Sequence, residues 1–263
     1  MADILLFYYH FAILLLYAVT ALGAAARSSW RVRLRPALWG ILVLQLVEIA
    51  FRWALSGHPP IFGVFEETLA AAFFVTLISL LVDKKCEYYG FTVPLSALTL
   101  LYGIFYDMSI KPLVISEQSL WVYFHALFAW VSYGFYTLAF CSALWVLLKK
   151  ETSSMALFRK WLVEYGILYG FAAQTLYFFL GSYYSSLLHG HWWQWDMVEY
   201  LFIISWFLYA IVIHGRIFFH WDEQKVAKWN VAAFLANITL YWGLIFIPWT
   251  TYHIFELGLK RHF

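Results

Sequence analysis

The sequence predicts an all-α integral membrane protein, a bundle of about eight transmembrane helices with both termini on the outer, periplasmic side. Three observations carry that expectation. Of the 263 residues, 64% are hydrophobic, 22% aromatic and only 12% charged, whereas soluble domains carry roughly a quarter charged residues. Apolar runs follow one another along the chain, each near the ~20 residues needed to cross the hydrocarbon core. Basic residues collect in every second connecting segment. The net charge of +2 points to no acidic or nucleic-acid partner.

The first expected span, residues 4–25, starts almost at the N-terminus with no basic n-region and no small-residue cleavage site. It is therefore expected to be retained rather than removed as a signal peptide. The second, 37–55, contains Glu48 and Arg52 one helical turn apart, so the two can pair within the membrane. His10 in the first span reads as a helix–helix hydrogen bond. The third (68–82) and fourth (91–106) follow, with Glu66 and Glu67 placed to cap or solvate the mouth of the third. The fifth, 120–148, is long and holds His125 about two turns from its start. The sixth is expected over 161–183, with Gly166 and Gly170 spaced for close helix packing. The seventh (198–214) and the eighth (231–252) complete the bundle.

The loops after spans one, three, five and seven hold Arg27/Arg31/Arg33/Arg35, Lys84/Lys85, Lys149/Lys150/Arg159/Lys160 and Arg216/Lys225/Lys228. Those after spans two, four and six hold only Lys111. The positive-inside rule then places the odd-numbered loops in the cytoplasm. No linker or repeat divides the chain, so residues 1–263 read as one polytopic domain. Cys86 and Cys141 have no metal-like or redox-like spacing. No Cys-x-x-Cys-His occurs, which excludes a c-type cytochrome.

One segment departs from the pattern of a membrane protein's connecting loops. Residues 185–199 include His189, His191, Trp192, Trp193, Trp195, Asp196 and Glu199, with no lysine or arginine. An aromatic belt explains one or two tryptophans at a membrane interface. Three within four positions, backed by Asp196, suit a broad apolar platform for a large planar ligand. The topology puts His125 and His253 at the same outer face, and two neutral imidazoles flanking such a platform are the means of gripping a haem iron axially. His214 falls about 24 Å further down the seventh span, near the cytoplasmic side. It reads equally as an interfacial histidine beside Arg216. His58, His220 and His262 carry no site signal alone.

The run Trp192-Trp193-Gln194-Trp195-Asp196-Met197-Val198-Glu199, followed by Tyr209-Ala210-Ile211-Val212-Ile213-His214-Gly215-Arg216, resembles the tryptophan-rich signature of haem-handling proteins in cytochrome c assembly. The branch it is most similar to is the CcsA (ResC) type. Arg52-Trp53, Ser56-Gly57-His58-Pro59-Pro60 and Phe65-Glu66-Glu67 resemble that family's R-W…G-H-x-P…Y-E-S stretch. Trp121 to His125, with Tyr133, resembles its W-L-x-x-H…Y segment, and His253 stands where a histidine follows its last helix. The likeness covers residue 50 onward. Met197-Val198 replaces the family's Pro-Lys, His189 stands about where the loop's first tryptophan would be, and Phe62-Gly63 replaces a more polar pair.

The resemblance implies a haem path through the cytoplasmic (inner) membrane. Haem b is the transported substrate, and the loop faces the periplasm. His125 and His253 would be the external axial ligands and His214 an intramembrane ligand. Trp192, Trp193, Trp195 and Asp196 would form the platform. The implied partners are a CcsB (ResB)-type membrane subunit, supplying a further histidine, and an apocytochrome c with Cys-x-x-Cys-His. The implied task is system II cytochrome c maturation, with the chain acting as the haem-delivering half of a synthase. Two alternatives stand beside it: a non-enzymatic membrane regulator or scaffold of the HemX type, and CcmC-like delivery of haem to a chaperone.

Overall fold

The computed structural model describes residues 2–26, 28–86, 88–110, 113, 118–148 and 154–243, with the side chains of 2, 3, 28 and 154–162 left aside. Every regular element in these segments is helical. In order they are α1 (Ala2–Ala26), α2 (Ser28–Ser56), α3 (Val64–Val82), α4 (Tyr89–Gly103), α5 (Leu120–Leu148), α6 (Ser154–His189), α7 (Met197–Ile217) and α8 (Glu223–Ile238), with a π-helical turn at Thr239–Gly243. Five of them, α1, α2, α3, α5 and α7, are long and apolar enough to cross a membrane. The 15 residues of α4 span only about 22 Å, less than the ~30 Å hydrocarbon core. The chain is a multi-pass membrane protein.

Two compact units divide the helices, the first ending at Tyr123 and the second starting at Phe124. In the first, α1, α2, α3 and α4 pack around Tyr17, Leu38, Leu69 and Leu100. Apolar side chains such as Leu5, Leu15 and Leu22 point outward, as a lipid-facing surface requires, and the polar groups turn inward. The Tyr17 hydroxyl meets Gln45 Oε1 at 2.8 Å and Thr76 Oγ1 at 2.9 Å, and Thr76 Oγ1 donates to Ser96 Oγ at 3.1 Å. Gln45 Nε2 donates to the Leu69 carbonyl at 2.9 Å. In a bundle interior each unpaired group would cost several kcal/mol, so such a seam ties four helices together.

A charged clasp closes one end of that seam. His10 Nδ1 lies 3.1 Å from Glu48 Oε1, and Arg52 Nε lies 3.4 Å from the same oxygen, all three side chains being sealed from solvent. Arg52 Nη1 also donates to the Met108 carbonyl at 3.0 Å, and its guanidinium lies 4.4 Å from the centre of the Phe65 ring. The turn-apart pairing of Glu48 and Arg52 and the helix–helix bond of His10 thus both hold. Glu66 reaches back to accept from the Phe62 N–H at 3.0 Å, as a residue at a helix mouth does.

Several boundaries differ from expectation, among them the start of α6, at Ser154 rather than residue 161. The stretch Arg31 to Arg35, expected as a loop, lies inside α2. Arginine is a good helix former, and here it caps neighbours. Arg31 Nε donates to the Ala24 carbonyl at 2.9 Å, and Arg35 donates to Leu80 at 2.9 Å and Lys84 at 3.1 Å. These are the orphan carbonyls at the ends of α1 and α3, where a cation also meets the negative end of the helix dipole. Helix α6 runs on to His189 because nothing breaks it before Gly190, whose φ of 76° ends it. The irregular segment is therefore Gly190 to Asp196. Helix α8 starts about two turns before the expected Val231, because Asp222 Oδ1 accepts from the Lys225 N–H at 2.7 Å as its N-cap.

Replacing Glu48 by Ala leaves the buried Arg52 guanidinium without its carboxylate and takes away the partner of His10 Nδ1. We expect a loss of about 3–5 kcal/mol, read as a fall in thermal midpoint in detergent. The double variant Glu48→Ala/Arg52→Met should recover most of it, since the uncompensated charge is then gone.

Candidate functional site

The site is built in the second unit, where α5, α6 and α7 meet the tryptophan segment. Two left-handed residues shape that segment, Gly190 at φ 76° and Trp195 at φ 58°. Asp196 is the N-cap of α7: its carboxylate accepts from the Glu199 N–H at 2.9 Å in a full capping box. The Glu199 carboxylate in turn accepts from the Gln194 N–H at 2.7 Å, from the Trp195 N–H and from the Asp196 N–H at 3.4 Å. Gln194 Nε2 donates to Ser185 Oγ at 3.1 Å, which fastens the segment to the last turns of α6.

This backbone divides the three tryptophans. Trp193 turns inward, 5.5 Å edge-on from Phe178 and 6.4 Å from Phe202. Trp192 and Trp195 stay 60% and 63% exposed, the first against Tyr183 and the second against Tyr200. Trp193 and Trp195 still meet edge to face at 6.2 Å. Phe202 packs 5.3 Å from Tyr177, whose ring stands at 88° to the His125 imidazole, 5.3 Å away. His125, Tyr177, Phe202, Trp193 and Trp195 thus form one continuous aromatic row.

His125 sits against Gly181 of α6. A Cβ on that glycine would lie 2.5 Å from His125 Nδ1, so the imidazole occupies the space a side chain would need. The Tyr177 carbonyl lies 2.7 Å from His125 Nδ1. A carbonyl only accepts, so Nδ1 carries the proton and Nε2 is the basic nitrogen.

His214 has the same arrangement at the opposite end of α7. Its Nδ1 donates to the Ala210 carbonyl at 2.7 Å, and its ring lies 5.6 Å from Phe218 on an exposed face. It is about 26 Å along the helix from Met197. Nearby, Arg216 Nε pairs with Glu164 at 2.7 Å and Arg216 Nη1 donates to the Trp221 carbonyl at 2.7 Å.

The structure therefore gathers His125, Trp193, Trp195 and Asp196 at one end, with Trp192 on the outer side of the same segment, and sets His214 at the other. His253 lies outside the described residues. Asp196 is buried and engaged in capping. Sequence reasoning did not single out Tyr177, Phe178, Gly181, Phe202 or Glu199. The Asp-x-x-Glu spacing at 196–199 was a readable capping-box signal, whereas aromatic residues inside apolar helices carry none.

A bundle of apolar helices, five of them long and apolar enough to cross a membrane, with a tryptophan-rich segment at the start of α7, defines a multi-pass membrane protein. Residues 53–249 match the family described as "Cytochrome C assembly protein". The chain belongs to that family. It is 27% identical to the cytochrome c biogenesis protein CcsA of Prochlorococcus marinus strain AS9601, over 93% of this chain and 90% of the relative. It is 25% identical to CcsA of Chlamydomonas reinhardtii, over 87% of this chain and 69% of the relative. The role of the chain lies in cytochrome c maturation.

The two neighbouring indoles should respond differently to truncation. Trp193→Ala opens a hole between Phe178 and Phe202 and should cost about 3 kcal/mol. Trp192→Ala removes an exposed ring and should cost under about 0.5 kcal/mol. Thermal unfolding of the two detergent-solubilised variants checks the contrast.

Proposed function

We propose that the chain carries haem b across the cytoplasmic membrane and presents it, with its tryptophan segment facing the periplasm, for covalent attachment to an apocytochrome c. A CcsB/ResB-type subunit is its partner in this task. Haem is the substrate here. One observation carries the reading: among the described residues Nδ1 is tied down in four histidines, and of these His214 is exposed and His125 only partly buried. His10 and His58 also have Nδ1 engaged, by Glu48 and by the Pro59 carbonyl at 2.9 Å, but both are buried. An Nδ1–H held by a backbone carbonyl fixes the tautomer and makes Nε2 the basic nitrogen, which is the usual support behind a metal-ligating histidine.

The residues present fit haem on chemical grounds. Imidazole is the common axial ligand of haem iron, and Trp193 and Trp195 offer apolar faces beside His125. With His253 as the second external ligand, and Trp192 and Asp196 completing the segment, this end would hold haem for transfer. His214, at the other end of α7, would serve an earlier stop on the path. In the attachment reaction each cysteine thiol adds across a haem vinyl group, sulfur to one carbon and hydrogen to the other, so the addition itself consumes no electrons. The contribution of this chain is to hold and orient the ring.

His125→Ala should lose the low-spin bis-histidine absorption spectrum of the purified protein, and added imidazole should partly restore it. His214→Ala expressed in cells with the partner should arrive depleted of haem, yet bind haem added in detergent with the wild-type spectrum. A spectrum unchanged by His125→Ala would remove that residue from the site, and a fully loaded, active His214→Ala protein would end the two-stop path.

A further inference from the structure

The carboxylate of Glu199 is the most heavily engaged group in the tryptophan segment, and the platform residues do not include it. It is buried, as is Asp196, while Trp192 and Trp195 just before them in the chain are exposed. Three consecutive N–H groups, those of Gln194, Trp195 and Asp196, point at its two oxygens. Consecutive N–H groups converging in this way form an anion-binding concavity, and the protein fills it with its own side chain. An ordinary capping box uses only the N-cap N–H for this reciprocal bond. The two extra bonds reach one and two residues further back, into the segment itself.

That reach has a geometric consequence. Trp195 is held at φ 58°, a left-handed conformation that a bulky L-residue adopts only when its surroundings over-determine it. The bond from its N–H to Glu199 and the bond from the preceding N–H of Gln194 supply that determination. If Trp195 relaxed to an extended conformation, its side chain would swing away from Trp193, and the edge-to-face contact at 6.2 Å would be lost.

We propose that Glu199 is the positioning residue of the tryptophan segment. Through the backbone of Gln194, Trp195 and Asp196, it fixes the mutual angle of the Trp193 and Trp195 rings on which haem is received. This rests on the haem reading above. The acidic residue that matters most to the segment is then the second carboxylate of the Asp196–Glu199 pair, and it acts without touching the ligand.

The test uses the full chain in detergent, with Glu199→Ala, Glu199→Gln and Trp193→Ala. Two quantities are read: hydrogen exchange of the 194–196 amides without ligand, and the affinity for added haemin followed at the Soret band. Each hydrogen bond to an ionised group is worth enough to change an equilibrium about tenfold. Glu199→Ala should therefore lower amide protection and haemin affinity by at least about tenfold each. Glu199→Gln keeps an acceptor oxygen in the same place and should rescue most of both.

Wild-type protection in Glu199→Ala would overturn the proposal. So would a Glu199→Gln protein that loses haemin while its amides stay protected, because the charge would then act directly. Lost protection with unchanged haemin affinity would also overturn it. Trp193→Ala then separates the two ideas: if it too leaves haemin binding intact, the platform reading fails with the positioning role, and if it weakens binding, only the role of Glu199 falls. Should Glu199→Ala fail to insert, Glu199→Asp, whose shorter side chain draws back from Gln194 and Trp195, should show the same losses in milder form.

Discussion

The structure depends on one constraint: a polar group buried among apolar helices must find its partner within the protein. Water is absent from the bilayer core, and lipid tails offer no hydrogen bonds. The outer faces of the helices are consequently apolar, and the polar side chains form internal seams. In the first unit the seam runs through Tyr17, Gln45, Thr76 and Ser96. In the second, Tyr136 donates to Gln174 at 2.6 Å, and Gln174 and Asn237 both donate to Ser205, at 3.3 and 3.0 Å. Because hydrophobic burial drives helices together weakly in lipid, these directional bonds select which faces meet. Small residues then let the faces close: a Cβ on Gly170 would lie 2.5 Å from the Tyr136 ring.

The same constraint explains the histidines. Among the described residues His10, His58, His125 and His214 each tie Nδ1 to a fixed partner, and what then differs is burial. His10 Nε2 is enclosed and has no hydrogen-bond partner among the described residues, and His10 belongs to the clasp with Glu48 and Arg52. With the same anchoring, His125 is only partly buried and His214 is exposed. Histidines that build the fold and those proposed to meet a ligand thus share an anchored Nδ1 and are told apart by burial. Spacing along the chain does not reveal burial of this kind.

Much of the architecture was legible in the sequence, because length and apolarity are what a membrane demands of a helix. The pairing of Glu48 with Arg52 was legible too, since charges one turn apart in lipid have little else to do. The meeting of His125 with the tryptophan segment followed from counting helix ends. The arginine-rich start of α2 was not legible, because charge suggests a loop until the carbonyl ends of α1 and α3 are seen beside it. Nor was the aromatic row through Tyr177 and Phe202. Tyrosine and phenylalanine are common in these helices, and periodicity is weak where every face is apolar. Glu199 lay between these cases: its spacing from Asp196 was readable, but its reach back to Gln194 requires the left-handed turn at Trp195.

With both carboxylates of the segment committed to backbone N–H groups, the chemistry left there is that of indole faces and imidazole nitrogens, since residues 189–199 contain no lysine or arginine. Met197 and Val198 stand where the resembling family has proline and lysine, so the segment itself offers no lysine or arginine to a propionate. On the proposed reading, haem would be held here by apolar contact and axial ligation alone, with its propionates turned away from the segment toward water or a partner. The vinyl edge of the ring would then lie on the tryptophan side. Orientation would follow from where charge is excluded, and a segment that commits both its carboxylates to its own backbone is suited to that task.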